Sequence, residues 1–366
     1  MLFTTAKENL LTAVNAVQRA INQKSIIPTY SCIKIEVREH MAVFMGTGLD
    51  ISIECTIPVQ MEKEGSALVP ARYFSDIVRR LPNIPITVEH TASMEMSLRY
   101  EKSVFTLRTL PVDDFPLMPS FQDGLSFSIS AESLKKLIRQ STFAASPDEL
   151  KAVFTGILWE IDEDALSLVG TDTHRLAWSK SKFVTEDPAQ KGSFIIPAKI
   201  TSEIGRLLEQ DDCIVQAEKN AVFFAFDNIK MHCRVLEGIF PNYKQVVPQA
   251  FQTTIKIDGR ILKEAAERIS LFAESNDTSN TIQMEAEEGK LSLYSQSDIG
   301  FGREEFAVMQ EGEAMHIAFN ARYITDVFKA IEGEKVSIQL SGQLSAGIIK
   351  EEGDPDFLYL VLPVKV

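Results

Sequence analysis

Gly65-Ser66-Ala67-Leu68-Val69-Pro70-Ala71-Arg72 returns as Gly192-Ser193-Phe194-Ile195-Ile196-Pro197-Ala198-Lys199, and this repetition decides how the whole chain is read. Downstream, Ser75, Asp76, Ile77 and Arg79 are matched by Ser202, Glu203, Ile204 and Arg206. A third copy starts at Phe319-Asn320-Ala321-Arg322-Tyr323 and reaches Asp326, Val327 and Lys329. Upstream, Phe3, Thr5, Leu10 and Val14 align with Phe127, Ile129, Leu134 and Ile138, and with Ile255, Ile257, Leu262 and Ala266. Arg108, Leu110 and Phe115-Pro116 are echoed by Arg234, Leu236 and Phe240-Pro241. A period of about 125 residues is far too long for a solenoid and is the size of a domain. The chain therefore reads as three homologous domains, residues 1-122, 123-248 and 249-366, with boundaries in the stretches 120–124 and 248–252.

Each domain reads as two similar halves, a strand, a helix and further strands. In the first, Leu2 to Thr5 leads into an amphipathic segment from Lys7 to Ile21, with Leu10, Leu11, Val14 and Val17 at helical spacing. Ile33 to Val37 and Ile51 to Cys55 alternate as half-buried antiparallel strands do. The second half opens at Ala67-Leu68-Val69, and Pro70 stands where a helix begins. That helix, Ala71 to Leu81, is expected to bury Phe74, Ile77, Val78 and Leu81. Strands at 86–89, 94–100 and 104–109 follow. The fold class is α+β, with antiparallel sheets outside and two helices on one face of each domain.

Composition narrows the function. In 366 residues, 45% hydrophobic and 24% charged side chains are ordinary for domains with their own cores. A formal charge of −14 excludes a protein that grips nucleic acid over its whole surface, though not one that meets it on a small basic face. No apolar run is long enough to span a membrane. The opening Met1-Leu2-Phe3-Thr4-Thr5 has no basic region or apolar run of a secretory signal. Cys32, Cys55, Cys213 and Cys233 stand singly, as reduced thiols do, so a cytoplasmic location is expected.

The cations are placed with a pattern. Arg72, Lys199 and Arg322 share one position of the repeat, and Arg79, Arg206 and Lys329 another. Seven residues are nearly two helical turns, so each pair shares a face opposite the apolar stripe. The first helices add Lys7 and Arg19, then Lys135, Lys136 and Arg139, then Arg260, Lys263 and Arg268. Asp76, Glu203 and Asp326 lie between the pairs, at spacings that also suit a solvated, salt-bridged face. Threefold repetition in an acidic chain favours a surface facing a polyanion without reading its sequence.

Signals for catalysis are weak. Asp172 and His174 form the most enzyme-like cluster, but no nucleophile stands in an elbow context. His40, His90, His232 and His316 lack ligand spacing, so no metal is expected. Gly46-x-Gly48 and Gly300-x-Gly302 lack a third glycine and a following helix, and there is no Walker A sequence, so no nucleotide cofactor is expected. Asp113-Asp114 and Asp211-Asp212 read as solvated turns. An enzyme using Asp172 and His174, and a three-domain interaction scaffold, stand as the alternatives to a polyanion-facing protein.

Together the three repeats, the segment Gly170-Thr171-Asp172-Thr173-His174-Arg175-Leu176-Ala177, the segment Phe240-Pro241-Asn242-Tyr243 and the ending from Tyr359 to Val366 closely resemble the bacterial sliding clamp family, the beta subunit of DNA polymerase III. The resemblance covers the whole chain. It implies a DNA clamp architecture: a head-to-tail homodimeric ring encircling double-stranded DNA, with its helices lining the hole. Such a ring tethers the DNA polymerase III catalytic subunit, the clamp loader and other polymerases and repair proteins, without chemistry of its own. Lys24 matches a position where the family places a DNA-contacting residue, and in such a ring the basic stripe of Arg72, Arg79, Lys199, Arg206, Arg322 and Lys329 would face the DNA from the lining of the hole.

The same resemblance implies a pocket for short partner peptides. Carried over, its wall takes Phe154, Thr171, Thr173, His174, Arg175 and Leu176 from the second domain, with Pro241 and Val246 beyond it. The third domain adds Asn320, Tyr323, Leu344, Leu360, Val361, Leu362, Pro363 and Val364. Thr173 stands where many relatives have glycine, Gln245 where some carry arginine, and Lys365-Val366 in place of Arg-Leu. For the dimer contact, Phe105 and Leu107 of one copy are expected to meet Leu271 and Phe272 of the other.

Overall fold

The computed structural model describes residues 1–185, 187, 189–273 and 280–365. These form two compact units, Met1–Ala131 with Arg206–Val235, and Glu132–Gly205 with Leu236–Val366.

In the first unit, the strand Leu2–Ala6 runs directly into helix α1 (Lys7–Val17). Leu10, Ala13, Val14 and Val17 form its buried stripe. The helix tightens into a 3-10 turn, Gln18–Ala20, so it stops short of the expected Ile21. Gly46 lets that end approach the sheet, since a Cβ there would lie 2.3 Å from the Val17 carbonyl oxygen. Helix α2 (Ala71–Arg80) starts after Pro70, whose φ of −58° suits a helix entry. It buries Ala71, Phe74, Ser75 and Val78, with Leu81 just beyond. Ile77, expected in the core, is only half-buried, because the buried face runs i, i+3, i+4, i+7 from Ala71 and leaves position 77 on its flank.

Two antiparallel sheets complete this unit. The five-stranded sheet runs Gln60–Lys63, Leu2–Ala6, Pro85–Thr91, Glu95–Tyr100, Ser103–Arg108. The eight-stranded sheet runs Leu125–Ile129, Cys213–Ala217, Ala221–Phe226, Ile229–Arg234, Ile51–Pro58, Met41–Thr47, Cys32–Arg38, Gly65–Pro70. Its centre joins segments far apart in sequence, with Ile229 opposite Cys55 and Met231 opposite Ile53. All four cysteines are buried and free. Burial pushes the Cys55 thiol up to about 12, so it is a packing group rather than a reactive one.

The second unit repeats the plan. Helix α3 (Ala131–Thr142) ends against Gly170, where a Cβ would lie 2.3 Å from the Ser141 carbonyl oxygen, the counterpart of the approach at Gly46. Helix α4 (Ala198–Leu207) packs on it where Gly205 faces Ile138. Helices α5 (Gly259–Ile269) and α6 (Ala321–Asp326) are capped by Asp258 and Asn320, whose side chains accept from the first free amides. The nine-stranded sheet runs Lys191–Pro197, Gly156–Asp162, Ala165–Thr171, Arg175–Lys182, Phe357–Val361, Gly347–Glu351, Lys335–Leu340, Thr253–Asp258, Met309–Gly312. The four-stranded sheet runs Gly300–Ala307, Lys290–Ser297, Thr281–Glu287, Met315–Asn320. Leu262, Ala265, Ala266, Ile324 and Val327 press onto these sheets in one core. No helix among the described residues is long and apolar enough to cross a membrane.

Candidate functional site

The two strands at the centre of the nine-stranded sheet make the floor of the site. Leu176 pairs with Leu360, Ala177 with Tyr359, and Trp178 with Leu358. Alternation sends Leu176, Leu358 and Leu360 to one face, with Val169, Leu158, Ile195 and Tyr243. Ala177, Phe357, Tyr359 and Val361 go to the other, into the core under α5 and α6. Over the first face a cavity of about 210 Å³ opens. The structure brings Phe154, Thr171, Thr173, His174, Arg175, Leu176, Pro241, Val246, Leu360 and Leu362 to its wall. Phe240, Asn242 and Tyr243 line it as well, and carrying Pro241 alone out of that segment missed them. Phe154 and Phe240 meet edge to face at 6.2 Å, and Val246 is 56% exposed, so the wall is apolar and open to solvent.

Six residues expected in the wall lie off it. Val361 is fully buried on the opposite face, since its neighbours Leu360 and Leu362 take the cavity side. Asn320 is spent capping α6. Tyr323 lies under the Arg175 guanidinium, 4.5 Å from its ring centroid. Leu344 is exposed in the turn before Gly347–Glu351. Pro363 and Val364 follow a chain pinned by the bond from the Val364 amide to the Ala318 carbonyl. Gln245, one of the departures, sits in the 3-10 turn Tyr243–Val246, whereas Val366 lies outside the described residues.

The turn from Thr171 to Arg175 forms one rim and is strongly tied. The Thr171 hydroxyl donates to the Arg175 carbonyl at 2.6 Å. Asp172 Oδ1 accepts from the amides of His174 and Arg175 at 2.9 and 3.0 Å, and Oδ2 accepts from Arg175 Nε at 2.9 Å. Both oxygens of Asp172 are thus committed to the turn and to Arg175, so the arrangement gives no support to an Asp172–His174 catalytic pair. Arg175 Nη1 continues to Asp326 Oδ2 at 2.7 Å, and Lys329 Nζ reaches Asp326 Oδ1 at 2.5 Å. Burial would push the Asp326 carboxyl up, but the bonds from Lys329 and Arg175 outweigh it and hold the group below the usual carboxylate range. Asp326, expected on a solvated face, is 5% exposed and belongs to this buried charge cluster.

Thr173 carries the strain of the turn. Its φ is +81°, a left-handed conformation that is costly for a β-branched residue. Thr173→Gly is expected to stabilise the protein by about 1 kcal/mol. The urea midpoint is the measurement, and an unchanged or lower midpoint sinks the expectation.

The seven cations expected to meet DNA, Lys24, Arg72, Arg79, Lys199, Arg206, Arg322 and Lys329, are all exposed. Arg79 donates to Gln18, in the 3-10 turn that follows α1, at 2.6 Å and lies 3.9 Å from Asp76. Arg72, Lys199 and Lys24 have no carboxylate within salt-bridge distance among the described residues. The first helices depart from the expected basic face. Lys136 is paired with Asp354 at 2.8 Å, Arg139 with Glu332, and Arg268 with Glu304 at 2.7 Å. Carboxylates from other elements neutralise these three, so they add little to an outward positive field.

For the dimer contact, Phe105 and Leu107 lie on Ser103–Arg108, an edge strand with free backbone groups on its outer side. Phe105 is 39% exposed beside Tyr100, whereas Leu107 is half-buried. Leu271 is 71% exposed. Phe272, expected in the same contact, is half-buried because Gly302 leaves room for its ring, which a Cβ at 302 would meet at 2.6 Å. Gly302 belongs to Gly300–Ala307, the edge of the four-stranded sheet.

Known proteins match this chain from end to end. Family profiles of the DNA polymerase III beta subunit match residues 1–119 (N-terminal domain), 128–242 (central domain) and 244–365 (C-terminal domain). The beta sliding clamps of Staphylococcus aureus and Bacillus subtilis are each 30% identical, and the alignments span all of this chain and 99% and 100% of theirs. The crystal structure of the Bacillus subtilis clamp superposes with a TM-score of 0.94 at 29% identity, covering 100% of this chain and 99% of that one. That of the Pseudomonas aeruginosa clamp bound to griselimycin gives 0.95 at 26% identity, with 100% of both chains covered. With three domain profiles in order, a cavity floored by the paired central strands and full-length relatives of one kind, the chain belongs to the DNA polymerase III beta subunit family of sliding clamps.

Proposed function

We propose that this chain works as a sliding clamp: two copies close head to tail around duplex DNA and hold the replicative polymerase there by short peptides, with no chemistry of their own. The observation that carries this reading is the full-length likeness to beta sliding clamps in all three domains. The domains run 1–122, 123–248 and 249–366, and the protein acts in the cytoplasm, in keeping with its four free thiols. DNA is met by Lys24, Arg72, Arg79, Lys199, Arg206, Arg322 and Lys329, through contacts weak enough to slide, because retention is topological. The ring is closed by pairing Ser103–Arg108 of one copy with Gly300–Ala307 of the other, which removes two edges at once and covers Phe105, Leu107, Leu271 and Phe272.

Retention on DNA tests the ring. Clamp loaded onto a nicked circular plasmid by the clamp loader should stay bound through gel filtration and be lost when the plasmid is cut once. Equal retention on circular and linear DNA sinks the reading. Partner capture is tested with overlapping synthetic peptides spanning the cognate polymerase catalytic subunit. At least one peptide should bind the wild type, and Val246→Asp with Leu362→Asp should weaken it by about 100-fold, as charge enters an apolar contact. Both side chains are substantially exposed, so folding survives the change. Unaltered affinity rules out this cavity.

A further inference from the structure

A second cavity, of about 310 Å³, lies along the same sheet face and has no role in the reading above. Its floor is the next rung of the same two strands. Leu176 and Leu360 underlie the first cavity, and Trp178 and Leu358, two residues along each strand, underlie the second. Residues i and i+2 of a strand are about 7 Å apart, so the floors are separated by the reach of two or three residues of an extended peptide.

Tyr243 lines both cavities and stands between them as a fixed partition. Its hydroxyl donates to Glu160 Oε2 at 2.8 Å, and Lys244 holds the same carboxylate at 3.1 Å. Two of the second cavity's charges are thereby satisfied, and a third, Asp162, is paired with Lys191 at 2.7 Å. Lys180 remains on the rim, exposed, with no carboxylate within salt-bridge distance among the described residues. The second cavity therefore offers an aromatic and aliphatic floor beside one cation that makes no direct ion pair, although the Asp162 and Asp164 carboxylates lie within its electrostatic reach.

We propose that this cavity receives the residues flanking the core of a partner peptide: an apolar or aromatic side chain on Trp178 and Leu358, and a neighbouring carboxylate at Lys180. This rests on the reading of the first cavity as the peptide site. Continuity of the floor and complementarity at Lys180 select such an occupant over a small metabolite, which would need polar groups converging on the cavity centre.

The test uses full-length protein and the shortest peptide that binds in the scan above. That core is lengthened at either end by Gly-Phe-Asp-Asp, with Gly-Ser-Asn-Asn as control. One Phe-bearing extension should tighten binding by about tenfold, the yield of one buried aromatic with a charge pair. Lys180→Glu should erase that gain and leave the core peptide unaffected, while Lys182→Glu, outside the cavity, should preserve it. The chain has two tryptophans and Trp159 is fully buried, so a change in emission on binding reports Trp178. A core that binds without gain from either extension and without change in emission overturns the proposal. So does a gain that survives Lys180→Glu. A wild type that binds no core peptide overturns the first-cavity reading and this inference with it.

Discussion

Arg175→Ala is expected to lower the stability of the unit that holds the peptide cavity by about 3 kcal/mol, the lower end of the cost of breaking a buried ion pair. Arg175 is 5% exposed and connects Asp172 to Asp326, themselves 7% and 5% exposed. Removing it strands two carboxylates in a site where water cannot replace the guanidinium. The lower end applies because Lys329 still reaches Asp326, and two turn amides still reach Asp172. Arg175→Lys should recover only part of the loss, since one ammonium cannot span two carboxylates as the planar fork does. The guanidinium also lies on Tyr323 at 4.5 Å, so the cavity rim loosens in the same variant and peptide affinity falls with stability. Urea denaturation decides it, and a loss below about 1 kcal/mol means that the cluster is held by packing instead.

The pH dependence follows from the same cluster. The Asp326 carboxyl is held below its ordinary value, so its contribution is complete above the unfolded-state value near 3.8 and is lost as pH falls through the lower folded one. Wild-type stability should therefore drop on acidification below that value, and Asp326→Asn should flatten the drop in that window.

Reversing Arg79, Arg206 and Lys329 to glutamate together is the second large effect. The three residues occupy one position of the repeat and each side chain is exposed, but Lys329 also pairs with the buried Asp326, so urea denaturation of the triple variant must first show that the fold survives. Loading onto nicked circular DNA should fall by at least about tenfold, because the local field steers the encounter with the duplex. Among molecules that do load, the salt dependence should flatten by about 0.9 in log–log slope per phosphate contact removed. Residence on the circle should change less than loading, since a closed ring is held by its topology. Undiminished loading would falsify the assignment of this helical face to DNA and favour a scaffold that does not enclose it.

The repeat made the second helices readable. Pro70-Ala71-Arg72 and Pro197-Ala198-Lys199 mark where α2 and α4 begin, and Asn320-Ala321-Arg322 does so for α6. Local patterns carried no information on long-range charge pairing. Arg139 looks outward-facing until Glu332 of a distant loop is beside it. At the site, Leu176, Leu360 and Leu362 were legible as wall residues, but treating 360 to 364 as one run ignored the two-residue alternation that sends Val361 into the opposite core. Tyr243 lies in a 3-10 turn with no periodicity to reveal which way its ring points, though its place in Phe240-Pro241-Asn242-Tyr243 was a usable sign. Nothing local announces that Ser75 rather than Ile77 faces the core.

The pairing of Leu176 with Leu360 has a consequence for synthesis. A ribosome adding about 5–20 residues per second makes the first of these leucines roughly ten seconds or more before the second. Throughout that interval the strand Arg175–Lys182 has a bare edge and no neighbour to complete the peptide floor. A bare strand edge is a template for unwanted pairing, so the segment Arg175–Lys182 is an aggregation hazard until Phe357–Val361 is made.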